Sequence, residues 1–276
     1  MILPGSSLTP ADLDALARCG ISTELAQQAL LRRVDSFSGA ELVGRNGRGD
    51  YGGIIFPYIW PGEDDVREYR LRRDHPDLEQ AEGGRFKEKN KYLWPPGRGN
   101  LLYLPPNIVP EWLTDLSLSV VFTEGEKKCL SLWELAWYGL GDSADRPRFL
   151  PIGLAGVWGW RGTIGKTEGP SGERQDVKGT ISDFERIAWT RREGMILFDA
   201  NVVTNDSVRN ASEALAAMLQ RRQVHVLFAD IPADAGVNGI DDYIGAHGPE
   251  SALRLIENAY DPKAKTWLKA YASSSH

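Results

Sequence analysis

The feature that most constrains the fold is an alternation of short apolar segments and helix-periodic segments that begins at residue 119. Such alternation is typical of a parallel sheet with right-handed crossovers. We therefore expect an α/β domain over residues 118–260, with an insertion at 153–181 rich in glycine and tryptophan. The predicted strands are 119–124, 148–153, 194–199 and 224–229, and the predicted helices are about 127–138, 182–190 and 208–220.

Acidic residues stand at the predicted carboxyl ends of these strands. Glu124 ends the first strand, Asp199 ends the third and is followed by Asn201, and Asp241 lies in an acidic segment after the last. Binding sites in open α/β sheets form beyond the strand ends, and carboxylate oxygens are the ligands that Mg²⁺ prefers. The order of these acids predicts a metal site at one rim of the sheet. The alternative is that an acid before a helix merely complements the helix dipole.

Bulk composition limits the class of protein. The formal charge of −6 and a pI near 5.4 argue against general coating of a polyanion. Two cysteines, Cys19 and Cys129, are too few for a zinc ribbon, and we expect them to be buried thiols. The sequence has no run of 18 apolar residues and no signal pattern at its start. We therefore expect a cytoplasmic protein that does not bind membranes.

Residues 51–117 differ from the α/β part and predict a basic, β-rich subdomain. Apolar segments at 54–60 and 66–72 flank a five-residue turn that contains Pro61 and Gly62, which predicts a β-hairpin. On the second strand of this hairpin, Arg70 and Arg72 share one face. Residues 101–104, which lie between prolines at 95–96 and 105–106, predict a further short strand.

Basic residues accumulate after this hairpin. Residues 67–98 contain nine Lys or Arg and six Asp or Glu, so this segment is net positive within an acidic protein. Lys87, Lys89 and Lys91 alternate as on one side of an extended segment, and Arg98 follows them. One interpretation is a solvated loop. We prefer a track that binds phosphates beside aromatic stacking partners, because the track directly precedes the acidic strand end.

The remaining segments carry weaker signals. Residues 1–50 predict two short helices, the first capped by Thr9 and the second by Ser22 or Thr23. Such pairs are more often packing elements than a DNA-reading pair. In the insertion, a Gly-Lys-Thr sequence at 165–167 lacks the first glycine of a P-loop, because Trp160 stands in its place. The insertion's tryptophans either cover a crevice or, as we prefer, anchor the insertion to the core. Residues 261–276 predict a loosely docked tail.

These residues together resemble the Toprim domain and catalytic core of bacterial DnaG-type primases. Glu124-Gly125 after the first strand and Asp199-x-Asn201 after the third follow the Toprim pattern. The likeness covers about residues 50–250, and the chain is also similar to an uncharacterised Toprim-like family of mobile-element replication proteins. The upstream and downstream matches, in primase order, are 54–58 (IIFPY), 69–72 (YRLR), 91–96 (KYLWPP), 102–104 (LYL) and 239–244 (GIDDYI).

The resemblance implies nucleotidyl transfer on single-stranded DNA that depends on Mg²⁺ or Mn²⁺ and uses nucleoside triphosphates. It implies that Glu124 and Asp199 hold the metal, with Asn201 and Asp241 as further ligands, and that Lys127 takes part in catalysis. The basic residues would grip phosphates, and a replicative helicase is an expected partner. The residues implied to bind nucleotide or nucleic acid are Arg70, Arg72, Lys87, Lys89, Lys91 and Arg98.

The sequence departs from the primase pattern at two places. Asn201 replaces the usual second aspartate of the Toprim pair, which lowers the charge available to a metal. The zinc-binding template reader of bacterial primases is absent as well. Two alternatives therefore stay open, a Toprim nuclease that cleaves phosphodiesters and a catalytically degenerate module that binds nucleic acid or nucleotide.

Overall fold

The computed structural model describes residues 3–46, 49–80, 84, 86–141, 143–203, 205–233 and 235–261, apart from the side chains of Asn201 and Val203. The first half of the chain builds a mainly antiparallel α+β region. Its elements are α1 (Pro10–Ala17), α2 (Thr23–Gln28), β1 (Arg32–Val34), α3 (Ser36–Leu42), β2 (Gly53–Ile59), β3 (Val66–Arg73), β4 (Asp77–Gln80), β5 (Phe86–Lys89) and β6 (Tyr92–Leu93).

The second half of the chain builds the α/β region. Its elements are β7 (Val120–Glu124), α4 (Glu126–Trp137), β8 (Leu150–Leu154), β9 (Arg161–Glu168), β10 (Arg174–Thr180), β11 (Glu193–Ile196), α5 (Asp206–Arg221), β12 (His225–Phe228), α6 (Ile240–His247) and α7 (Pro249–Glu257). Four strands form a parallel sheet in the order β12-β11-β7-β8. The predicted parallel sheet flanked by helices is confirmed.

Two elements differ from the prediction. The helix expected at 182–190 is a short 3-10 helix, Ser182–Arg186. The short strand expected at 101–104 is a single antiparallel bridge, in which Tyr103 and Gly153 exchange two backbone hydrogen bonds of 2.9 Å. The bridge does not extend beyond residue 104, because residues 105 and 106 are prolines, which have no N–H to donate.

The predicted hairpin is confirmed as β2 and β3, which belong to an antiparallel sheet of order β1-β2-β3-β6. Alternation along β3 sends Leu71 into a small core with Val34 and Ile55, whereas Arg70 and Arg72 point to the opposite face. Strand β1 comes from the segment 1–50, so this sheet draws on the chain before residue 51 as well as after it.

One large core joins the two halves of the molecule. It contains Leu16 and Leu25 from the N-terminal helices, Phe56 from β2 and Phe122 from β7, each of them almost completely buried. Burial of one such side chain stabilises a fold by about 1.5–3 kcal/mol. The N-terminal helices are therefore packing elements that help to fix the hairpin against the parallel sheet.

The insertion forms a β-hairpin, β9 with β10, that extends into solvent. Trp160 at its base is buried in the main core, which agrees with the preferred anchoring interpretation. Arg161 lies over the ring of Trp158 at 3.7 Å from the ring centroid. Both cysteines are free and buried, as expected. Within the described ranges, no helix has the length and apolar character needed to cross a membrane.

Candidate active-site cleft

The strand–turn–helix at β7 and α4 opens onto solvent at its turn. Gly125 has φ +91°, a conformation that disfavours any residue with a side chain, and it donates a 2.8 Å hydrogen bond to Leu154 O. Among the described residues, no side chain caps α4 or α6, the second of which follows Gly239. Both turns line one cleft, so the unpaired N–H groups of two helix starts point toward the same space.

This cleft has a volume of about 390 Å³ and lies between the β2–β3 hairpin and the carboxyl edge of the parallel sheet. Its walls are dominated by charged side chains of both signs and by glycines. The lining residues are Arg70, Arg72, Lys91, Tyr92, Glu124, Gly125, Glu126, Lys127, Lys128, Gly156, Asn238, Gly239, Asp241 and Asp242.

Two predicted acids, Glu124 and Asp199, meet around a lysine that the sequence analysis did not single out. Lys128 Nζ lies 2.6 Å from Asp199 Oδ1, and Asn238 Nδ2 donates a 2.7 Å hydrogen bond to Asp199 Oδ2. Burial raises the pKa of Glu124, although Lys128 lowers it in part, and Asp199 adds to the rise. The pKa of Asp199 is also raised, first by burial and against the effect of Lys128.

A second pair of groups lies beside these acids. Lys127 Nζ lies 3.4 Å from Asp241 Oδ2 and donates to Cys19 Sγ at 3.0 Å. Asp241 is buried, and its Oδ1 has no hydrogen-bond partner among the described residues. The predicted residues Lys127 and Asp241 thus contact one another, at the starts of α4 and α6.

A buried network of polar side chains at the back of the cleft was not predicted from the sequence. Glu126 is fully buried, and its Oε1 accepts hydrogen bonds from Arg70 Nη1 at 2.9 Å and from the Tyr58 hydroxyl. Burial raises the pKa of Tyr58 well above its usual value. Arg70 also lies over the ring of Tyr92, 4.9 Å from its centroid. Arg70, predicted to grip phosphates, is therefore already paired, and its side chain is only 11% exposed.

Arg72 is the predicted basic residue with the most unsatisfied donors in the cleft. It has no ion-pair or hydrogen-bond partner among the residues that the structure describes, and its buried Nε is unsatisfied. Lys91 also lines the cleft, where it pairs with Glu88 at 2.7 Å. These two residues present positive charge to a ligand in the cleft.

Three other predicted basic residues lie outside the cleft lining. Lys87 and Lys89 stand on β5, opposite Glu79 and Asp77 of β4, and Lys89 Nζ pairs with Glu79 at 2.9 Å. Arg98 pairs with Glu68 at 3.1 Å. The excess of positive charge in this segment is thus largely balanced by acids on the paired strands.

The donor set suits a hard cation. Glu124, Asp199 and Asp241 supply carboxylate oxygens, and the unpartnered Oδ1 of Asp241 is an oxygen that a metal could use. Among the described residues, one group of possible ligands has all its donor atoms within 4.8 Å of one another, namely Cys19, Asp241 and Asp242. The predicted carboxylates of Glu124 and Asp199 therefore do not converge with that of Asp241 in this arrangement. The side chain of Asn201, the remaining predicted ligand, lies outside the described part of the chain.

Comparisons with solved structures place this fold among primase cores. The chain is similar to the primase of Aquifex aeolicus, solved with its zinc-binding and RNA polymerase domains, with a TM-score of 0.55 and 15% identity. That alignment covers 91% of this chain and 56% of the other, so the chain spans little more than half of that structure. The predicted primase-like fold is therefore confirmed.

Two further primase structures show the same likeness. A DNA primase domain from Pseudomonas aeruginosa has a TM-score of 0.53 and 15% identity over 94% of this chain and 75% of that one. The DnaG catalytic core has a TM-score of 0.53 and 14% identity over 91% and 73%. No curated protein matches the sequence. The model of a domain of unknown function, DUF3854, matches residues 111–251, which is just over half of the sequence, and the chain therefore belongs to the DUF3854 family.

Proposed function

We propose that this protein is a primase-like enzyme that binds single-stranded DNA and nucleoside triphosphates in the cleft and joins nucleotides there. Its proposed setting is the replication of a mobile element, where a replicative helicase would open the duplex. The observation that carries the proposal is the cleft itself, in which unpaired cationic and N–H donors face carboxylates at the edge of a parallel sheet.

Phosphate binding is the first step that the cleft residues support. The guanidinium of Arg72 has free donors, and a planar fork of N–H groups matches two phosphate oxygens. The starts of α4 and α6 add backbone N–H groups and the positive ends of their dipoles. A triphosphate or a strand backbone would therefore be held between the hairpin and the parallel sheet.

The acids support the chemical step. Glu124, Asp199 and Asp241 would hold Mg²⁺ or Mn²⁺, which supplies positive charge to phosphate oxygens and lowers the pKa of a bound hydroxyl. Glu124 receives no hydrogen bond from any residue that the structure describes, so its carboxylate is available. Lys127 would contact phosphate oxygens across the cleft.

Binding is tested by fluorescence anisotropy with a labelled single strand in EDTA. We expect Arg72→Ala to weaken binding about tenfold at low salt, because a charge-assisted hydrogen bond is lost. The salt dependence of the affinity should also fall by about 0.7 in slope. Arg221→Ala is the matched control, because Arg221 is exposed at the end of α5, which leads into the opposite edge of the sheet. Equal affinities for the two variants would contradict the proposed site.

Catalysis is tested on labelled single strands with nucleotides and Mg²⁺. We expect the wild type to extend the strand, and Glu124→Gln to lower the rate by about 10²–10³-fold, because the substitution removes a charge needed in the transition state. Shortening of the strand by the wild type would instead support the nuclease alternative.

A binding module is the second candidate, and the contact of Lys128 with Asp199 favours it. The ammonium group of Lys128 neutralises the negative charge of Asp199 that a bound metal would need. If the protein only binds, Glu124→Gln should leave single-strand affinity unchanged or raise it, and neither protein should change the length of the strand.

A further inference from the structure

Lys128 occupies an unusual position for a lysine. Its side chain is 17% exposed and that of Asp199 is 12% exposed, so the 2.6 Å contact between them is largely shielded from water. Asp199 is held from both sides, because its second oxygen accepts a hydrogen bond from Asn238. Both oxygens of Asp199 therefore have a contact within the chain, Oδ1 with the ammonium of Lys128 and Oδ2 with the amide of Asn238.

The backbone is shaped to admit this lysine. Lys128 lies in the first turn of α4, and its chain passes against Gly239, just before α6. A Cβ at position 239 would overlap both Lys128 Cε and Asp241 Oδ1. The absence of a side chain at position 239 thus lets the lysine reach the carboxylates from α4.

Three carboxylates surround the ammonium group of Lys128, namely those of Asp199, Asp241 and Glu124. The carboxylates predicted to hold a metal are thus the groups that surround the ammonium. A divalent cation and a buried ammonium repel one another strongly at contact distance, so both cannot occupy this position.

The geometry points to Lys128 as a built-in counter-ion that fills the cation position at Asp199, so that a divalent metal binds there only by displacing the lysine. The inference rests on the proposed function for the identity of the metal ligands. It deepens that proposal by making metal occupancy conditional on movement of one side chain of the protein itself.

The test is titration of Mn²⁺ alone, followed by the electron paramagnetic resonance signal of free Mn²⁺. Lys128→Met should bind Mn²⁺ at least about tenfold more tightly than the wild type, because a charge this close changes cation binding at a carboxylate by about one to three powers of ten. Lys128→Arg keeps the charge and should bind as weakly as the wild type. Equal affinity in Lys128→Met and wild type, or tight binding by Lys128→Arg, would overturn the inference.

Lys91→Met is the matched control for the general field of the cleft. Lys91 lines the same cleft but pairs with Glu88, and its side chain is 38% exposed. Its loss should change Mn²⁺ affinity by less than about twofold, because exposed charges are screened. An equal gain in Lys91→Met and Lys128→Met would show a field effect and overturn the specific role of Lys128.

A second measurement uses the unaltered protein, in case Lys128→Met does not fold. Lysine acetylation followed by mass spectrometry should show low reactivity at Lys128 without metal and a several-fold rise at saturating Mn²⁺, with Lys91 unchanged. Unchanged reactivity of Lys128 at saturation would overturn the inference. Single-strand binding in EDTA involves no metal. The effect of Arg72→Ala on that binding therefore tests the proposed function separately from the role of Lys128.

Discussion

Two buried polar sites in this protein differ in how far their hydrogen-bonding groups are satisfied. Arg192 is completely buried, yet its guanidinium donates to four backbone carbonyls, those of Leu118 at 2.7 Å, Trp112 at 2.8 Å, Leu113 at 2.9 Å and Ala188 at 3.3 Å. Burial lowers its pKa to about 10, so the side chain stays charged at neutral pH. This cluster needs nothing from outside the chain.

The cleft is the contrasting cluster, because several of its buried polar atoms lack partners among the described residues. Arg72 Nε, Asp241 Oδ1 and Glu126 Oε2 are unsatisfied, although all three residues line the same space. A buried polar atom without a hydrogen bond costs about 1–3 kcal/mol. The Arg192 cluster therefore serves stability, whereas the cleft keeps unsatisfied polar atoms that a bound ligand would satisfy.

The largest expected effect is at the satisfied cluster. Arg192→Met should lower the free energy of unfolding by at least about 3 kcal/mol, because several buried carbonyls lose their donor at once. Urea unfolding followed by circular dichroism measures the loss. Arg221→Met, an exposed arginine, should change stability by less than about 0.5 kcal/mol. A small effect at Arg192 would remove the distinction between the two clusters.

The next largest effect on stability is expected at Glu126, which is fully buried and has only one of its two carboxylate oxygens hydrogen-bonded within the described part of the chain. Glu126→Gln should destabilise the fold by about 3 kcal/mol, because it leaves the mostly buried Arg70 without its counter-charge. Urea midpoints measure the change. Glu79→Gln removes one partner of an exposed pair and should have no measurable effect on the midpoint. Tolerance of Glu126→Gln would mean that water or a ligand compensates Arg70 in solution.

The sequence predicted the frame of the cleft but not its internal contacts. Strand and helix periods located the parallel sheet, and the residues after each strand placed Glu124 and Asp241 at one edge. The missed contacts join residues that are far apart in sequence. Lys128 meets Asp199 across 71 positions, and Tyr58 meets Glu126 across 68. Such contacts depend on how elements that are distant in the sequence pack together, and no local pattern encodes that packing.

A smaller effect, of opposite sign, is expected at Glu124. Burial raises the pKa of Glu124 in the folded protein above its ordinary value of 4.5. The stability that Glu124 contributes is therefore complete below pH 4.5, and it is lost as the pH rises through the higher pKa of the folded state. Glu124→Gln should therefore stabilise the fold at pH 7.5 by up to about 2 kcal/mol and give no gain at pH 4. Urea midpoints at the two pH values measure the difference. Destabilisation at pH 7.5 would show that the ionised carboxylate has a favourable partner.

The smallest effect is expected at the basic residues of β5, which were predicted to bind phosphates but lie outside the cleft lining. Lys87→Ala should change single-strand affinity by less than about twofold, because Lys87 faces Glu79 on the paired strand and lies outside the cleft lining. Anisotropy in EDTA, with Arg72→Ala measured in parallel, provides the comparison. A loss at Lys87 equal to that at Arg72 would extend the nucleic-acid path from the cleft onto the β4–β5 hairpin. The basic residues of the sequence would then predict phosphate binding better than the unsatisfied donors of the cleft do.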